Sequence, residues 1–171
     1  MSRTPPLRGR GLRLEPLATT HAVEMERVLA DAALYEYIGG SPPSRGDLEA
    51  RYARQVAGPS DDVYAWHTWV VRLVGDDCAV GYVQATVHGD EGVAELAWVI
   101  GTPWQGRGFA SDAAAVVLEF VVASGVGRVI AHVHPDHLAS QRVAARLGLA
   151  PTTRTVDGEV EWELRPGIRG G

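Results

Sequence analysis

The stretch "VAELAWVIGTPWQGRGFASDAAAVVLEFVV", residues 93–122, decides the fold. It opens as an apolar run of strand length and breaks into a loop with glycines at 101, 106 and 108 around Arg107. It then resumes with Phe109, Ala113, Val116, Val117, Phe120 and Val121 at helical spacing, and Gly125 is placed to end the helix. Glycines between a strand and a helix can serve a tight turn, since glycine adopts backbone angles that other residues resist. They also suit an anion cradle. The first N–H groups of a helix lack partners, and the positive end of its dipole favours a phosphate. On that reading the amides of Gln105, Gly106, Arg107, Gly108, Phe109 and Ala110 face the ligand, Gly106 and Gly108 leave it room, and Arg107 adds a charge-assisted contact. A dinucleotide fingerprint fits less well, because Ser111 stands where its third glycine belongs and no acidic residue closes the following strand.

On either side of this stretch the chain reads as one mixed α/β domain. "LRLEPL" alternates as a first strand, and a helix is expected from about Thr20. A second helix runs through Leu48, Tyr52 and Val56. "YAWHTWVVRL", "CAVGYVQATV" and "GVAELAWVI" are separated by "VGDD" and "HGDEG", the chemistry of an antiparallel meander. After the central helix come a strand at "RVIAHVHP", a helix at "HLASQRVAARLG" and a hairpin turning on Asp157-Gly158. The order β-α-α-β-β-β-α-β-α-β-β gives a mixed sheet rather than a doubly wound one. Residues 1–171 are expected to form a single domain, with about 1–10 and 166–171 flexible.

Composition bounds the partners. A chain that is 46% hydrophobic and 22% charged is that of an ordinary globular protein, and a net charge of −5 argues against general nucleic-acid or anionic-membrane binding. All 16 basic residues are arginine, so a lysine-dependent phosphate loop is excluded. Cys78 stands alone, which excludes an intramolecular disulfide and any multi-cysteine metal site. The N-terminal segment has no apolar central region of the secretory kind, and no apolar run reaches spanning length, so the expectation is a cytoplasmic protein. His132 and His134 alternate within one strand without a convincing third ligand; they read as structural histidines, and no metal is expected. Trp66, Trp69, Trp98 and Trp162 read as core or sheet-face residues.

"QGRGFA" is similar to the Q/R-x-x-G-x-G/A signature of the GNAT superfamily of acyl-CoA-dependent N-acetyltransferases. The longer pair "AELAWVIGTPWQGRGFASDAAAVVLEFVV" and "HPDHLASQRVAARLGL" resembles the subfamily containing the ribosomal-protein N-terminal acetyltransferases. The resemblance implies a mainly antiparallel seven-stranded sheet, split between its fourth and fifth strands and flanked by about four helices. It further implies acetyl-CoA in the split, with the pyrophosphate on the amides of residues 105–110 and the pantetheine arm along Val99 and Ile100. Many relatives carry Asn-x-x-Ser at the start of the last helix, where both side chains touch that arm; here the residues are His137 and Ser140. A number also keep a tyrosine between the positions matching 137 and 150 to protonate the departing thiolate. None occurs here, which leaves Ser140 or water. Tyr35 and Tyr37 lie in a region that shapes the acceptor pocket in this subfamily.

The implied reaction narrows the choice of base. Amine attack on a thioester needs a neutral amine, and with pKa values of about 8 for α-amino groups and 10.4 for lysine the site must assist deprotonation. Strand alternation puts Leu96, Trp98 and Ile100 on one face and Val93, Glu95, Ala97 and Val99 on the other. Glu95, flanked by apolar residues, suits a general base acting through water, although the same position suits a solvated strand carboxylate. The carbonyl oxygen that gains charge is expected to take the N–H of Val99. The reading is therefore an acetyl-CoA-dependent N-acetyltransferase acting on a primary amine, of a protein or peptide N-terminus or of a small molecule, by direct transfer; a homodimer is compatible with it. A non-catalytic acyl-CoA-binding or sensing module is the alternative.

Overall fold

The structure, a computed structural model, describes residues 3–167. Among the described residues eight strands form one sheet: β1 (Leu7–Gly9), β2 (Leu12–Pro16), β3 (Tyr64–Leu73), β4 (Cys78–His88), β5 (Val93–Ile100), β6 (Arg128–Val133), β7 (Ala150–Val156) and β8 (Glu159–Leu164). Their spatial order is β1-β2-β3-β4-β5-β6-β8-β7. The expected seven strands become eight because Leu7–Gly9, inside the stretch expected to be flexible, pairs with Leu12–Leu14 as an edge hairpin. Three residues are too few to show an alternating pattern. The hairpin turns through Gly11 at φ +67°, and Trp69 Nε1 holds its approach by donating to the Pro5 carbonyl at 2.6 Å. Of the C-terminal stretch expected to be flexible, residues 168–171 lie outside the described residues.

Every neighbouring pair is antiparallel except β5 and β6, which run parallel. That pair stops early: Val93, Ala94 and Glu95 match Arg128, Val129 and Ile130, after which both strands continue without facing each other. The sheet therefore splits between the strands expected as fourth and fifth, here β5 and β6. Glu95 sits at the apex.

Helices cover the two faces unequally. The central helix α3 (Phe109–Ala123) buries Ala113, Val117 and Val121 against Leu14, Trp69, Val83 and Leu96, and the last helix α4 (Leu138–Arg146) buries Ala144 against Ala131 and Val133. On the opposite face, α1 (Ala22–Val28) and α2 (Arg45–Ala57) pack Met25, Val28, Leu48 and Tyr52 against Val70 and Ala79. Each fully buried aliphatic side chain contributes roughly 1.5–3 kcal/mol. Helix α1 starts later than expected because Thr19–His21 form a single 3-10 turn, in which the His21 ring takes the Ala18 N–H at 3.0 Å. Helix α2 starts where Ser44 and Asp47 cap each other's backbone N–H groups. Glu24 locks α1 to the sheet by accepting from Arg72 at 2.8 Å and from the Ala79 N–H at 2.7 Å. Strands β6, β8 and β7 carry charge on the face that α3 and α4 leave free, with Arg128, Arg154, Glu161 and Glu163 in ion pairs.

Candidate active site

The glycine loop has the form a bound anion requires. Gly106 and Gly108 sit at φ +78° and +83°, where a side chain is strained, and a Cβ at either position would meet nothing within 4 Å. The space in front of both is open. Gly108 is the N-cap of α3 and offers no side-chain cap, and the first intrahelical bond is Asp112 N–H to the Gly108 carbonyl at 3.0 Å. The N–H groups of Phe109, Ala110 and Ser111 thus have no helical partner. The loop is pinned from behind: Gln105 Nε2 donates to the Ile100 carbonyl at 2.9 Å, and Trp104 packs between the two cores on either side of the sheet. A Cβ on Gly101 would stand 2.9 Å from the Trp104 ring and from the Val28 carbonyl, so this tight seat needs glycine. Arg107 is exposed, while the Phe109 and Ala110 side chains pack into the core.

Strand parity settles which β5 amides face the split. Gly101 N–H donates to the Val80 carbonyl in β4 at 2.8 Å, while the Gly92 carbonyl accepts from Gly127 and Arg128 on the β6 side. Backbone groups alternate sides along a strand. Odd-numbered amides therefore turn to β4 and even-numbered ones to the split. The Val99 amide, expected to take the carbonyl oxygen, is instead turned to Tyr82, its register partner in β4. Trp98 and Ile100 present the amides that open into the split.

At the apex, Glu95 is partly exposed and its Oε1 lies 2.8 Å from His132 Nδ1. His132 Nε2 lies 3.5 Å from Oε2 of the buried Glu161. The histidine read as structural thus joins the candidate base to a second carboxylate. Since its two nitrogens face opposite ways, one metal ion could not bridge the pair, and no metal-binding group occurs among the described residues. Glu159 lies close enough to feel Glu95, His132 and His134; burial pushes its carboxyl above the usual range.

The mouth of the split is crossed by aromatic contacts. Tyr37, in the loop between α1 and α2, stacks on His137 at a ring-centroid distance of 4.6 Å and an angle of 18°, and lies 5.2 Å from His134. Burial, with His134 adding to it, pushes the His137 imidazole below its ordinary range, against a smaller upward pull from Glu36. Tyr35 contributes differently from the expected pocket lining: its hydroxyl turns back to donate to the Leu29 carbonyl at 2.9 Å and secures the loop. Inside the split, Trp98 Nε1 donates to Ser140 Oγ at 3.3 Å. Trp98 packs against the cores under both α3 and α4 and so wedges the fork, a task its reading as a sheet-face residue did not foresee. Its position three residues beyond Glu95, on the other face of the strand, was the available signal.

The match to known proteins follows this geometry. Residues 11–150 match the family model described as the acetyltransferase (GNAT) domain. The chain belongs to the GNAT acetyltransferase family. An uncharacterised N-acetyltransferase, YnaD of Bacillus subtilis, is 31% identical over 80 residues, an alignment that spans 46% of this chain and 47% of that protein. Thus the match covers about half the length of that relative. Among solved structures, Mycobacterium smegmatis RimJ with a CoA disulfide superposes with a TM-score of 0.79 at 18% identity, over 98% of this chain and 88% of that one. RimL, a ribosomal L7/L12 α-N-protein acetyltransferase in complex with coenzyme A, gives 0.80 at 14% identity, over 94% and 98%. At these identities the likeness is one of fold.

Proposed function

We propose that the chain transfers an acetyl group from acetyl-CoA directly to a primary amine, carried by a peptide or protein N-terminus or by a small molecule. The observation that carries this reading is the opening of the sheet at Glu95, with the uncapped amides of α3 at the end of the same strand. Those amides, with the space before Gly106 and Gly108, fit a pyrophosphate. The CoA complexes of RimL and RimJ support the choice of ligand.

Within such a complex Glu95 accepts the ammonium proton through water, freeing the nitrogen lone pair to form the new N–C bond. The split-facing amides of Trp98 and Ile100 stabilise charge on the carbonyl oxygen. The nitrogen, cationic once the N–C bond has formed, loses its second proton through water to Ser140 as Ser140 gives its own proton to the sulfur and the C–S bond breaks. The Ser140 oxygen accepts from Trp98, which leaves the O–H free to donate. A covalent relay through Cys78 gains no support. That thiol lies at the β3–β4 hairpin and is pushed up by burial and by the neighbouring Asp76 and Glu24 charges.

Thiol release from acetyl-CoA, measured across N-terminal peptides, aminoglycosides, polyamines and amino acids, tests the reading. Release that depends on one amine class is expected. Tight CoA binding without release by any of them would leave an acyl-CoA-binding module instead.

A further inference from the structure

His132 takes no part in the reaction just described, yet it is the group most closely joined to the base. It lies on β6 two residues past Ile130, the last residue matched to β5, so it stands where the sheet has just opened. Alternation puts it on the same face as Arg128 and Ile130, and its cross-strand partner on β8 is Glu161. The groups that face it are Glu95 from β5, Glu161 and Glu159 from β8, and His134 just past the end of its own strand. Behind Glu161, Arg154 of β7 donates to Oε1 at 2.7 Å and Arg128 lies 3.9 Å away.

An ionised carboxylate only accepts hydrogen bonds, so the 2.8 Å approach of Nδ1 to Glu95 Oε1 requires the imidazole to carry its proton there. At the other end Nε2 is fully buried, without a hydrogen bond, and aimed at the Glu161 carboxylate. Arg154 and Arg128 already supply Glu161 with positive charge, so the pairing with arginine does not explain why an imidazole was placed between two acids.

We propose that His132 is the positioning residue of Glu95: Nδ1–H fixes one carboxylate oxygen and leaves the other toward the acceptor amine. This rests on the reading of Glu95 as the base. His132 touches neither reacting atom in this scheme. Its effect passes through the orientation of Glu95, as an outer partner orients an inner group in many sites.

The test compares His132→Leu, His132→Asn and Glu95→Gln by thiol release against pH, with the KM for acetyl-CoA read separately. His132→Leu is expected to lower kcat at least 10-fold with that KM unchanged. His132→Asn, whose amide N–H can replace the Nδ1 donor, is expected to recover to within about 3-fold of the parent. The double variant His132→Leu/Glu95→Gln should be no slower than Glu95→Gln alone. Equal loss in the Leu and Asn variants, or no loss in either, would overturn the positioning role. A Glu95→Gln variant at full rate would overturn the base assignment instead. If His132→Leu does not fold, proton NMR of the parent decides: a slowly exchanging downfield Nδ1–H that moves upfield in Glu95→Gln is expected, and its absence from the folded parent overturns the proposal.

Discussion

Ser140 and His137 occupy neighbouring turns, yet the structure gives them different surroundings. Ser140 accepts from Trp98 with its proton free, whereas His137 is covered by Tyr37. Ser140→Ala should weaken acetyl-CoA binding by a net contact of about 0.5–1.5 kcal/mol and reduce turnover further, read by calorimetry and single-turnover rates. Equal affinity and rate would remove α4 from the site. Glu95 was legible in the sequence because alternation alone fixes its face. The Val99 amide was assigned wrongly because the side to which an amide turns depends on strand register, which only Gly101 and Gly92 reveal through their partners. His132 was unreadable as a partner of Glu95 for a similar reason: a parallel strand pair brings together residues 37 apart in the chain.

Among the elements, the turn from β5 into α3 was the most legible, because positive φ at Gly106 and Gly108 is a demand that only glycine meets at no cost. Gly108→Val should leave a folded protein and abolish CoA binding, since a branched side chain strains φ +83° and fills the open space before the amides. Calorimetry with CoA, after circular dichroism has confirmed folding, checks this. Unchanged affinity would take the loop out of the site. The ends of elements were less legible. Helix α1 begins late because Ala18 to His21 find local partners in a 3-10 turn, and β1 is visible only through tertiary contacts such as Trp69 with Pro5. Trp104, the anchor of the loop, gave a signal as a large apolar residue amid glycines, and its meaning depends on both cores meeting there.

For the molecule as a whole, two histidines make stability depend on mild acid. Burial holds His67 and His137 below the ordinary imidazole value of 6.5, so both favour the neutral ring when folded and take up protons more readily when unfolded. Their stabilising contribution is complete above about pH 6.5 and is lost as the pH falls through that value toward the lower folded values. Glu24, held below the usual carboxylate range chiefly by its hydrogen bond from Arg72, acts in a separate window below 4.5. The melting temperature should therefore drop between pH 7 and 5, and His137→Asn should reduce that drop. A flat profile in the parent would contradict the burial of both rings.

Acetyl transfer at the fork is tested most directly by amine-dependent thiol release in the parent and in Glu95→Gln, followed from pH 6 to 9 with acetyl-CoA affinity measured on the same samples. Loss of about 100-fold or more in kcat is expected below the pKa of the amine, narrowing as the free amine becomes abundant, with affinity unchanged. Parent-like rates in Glu95→Gln across that range would contradict it.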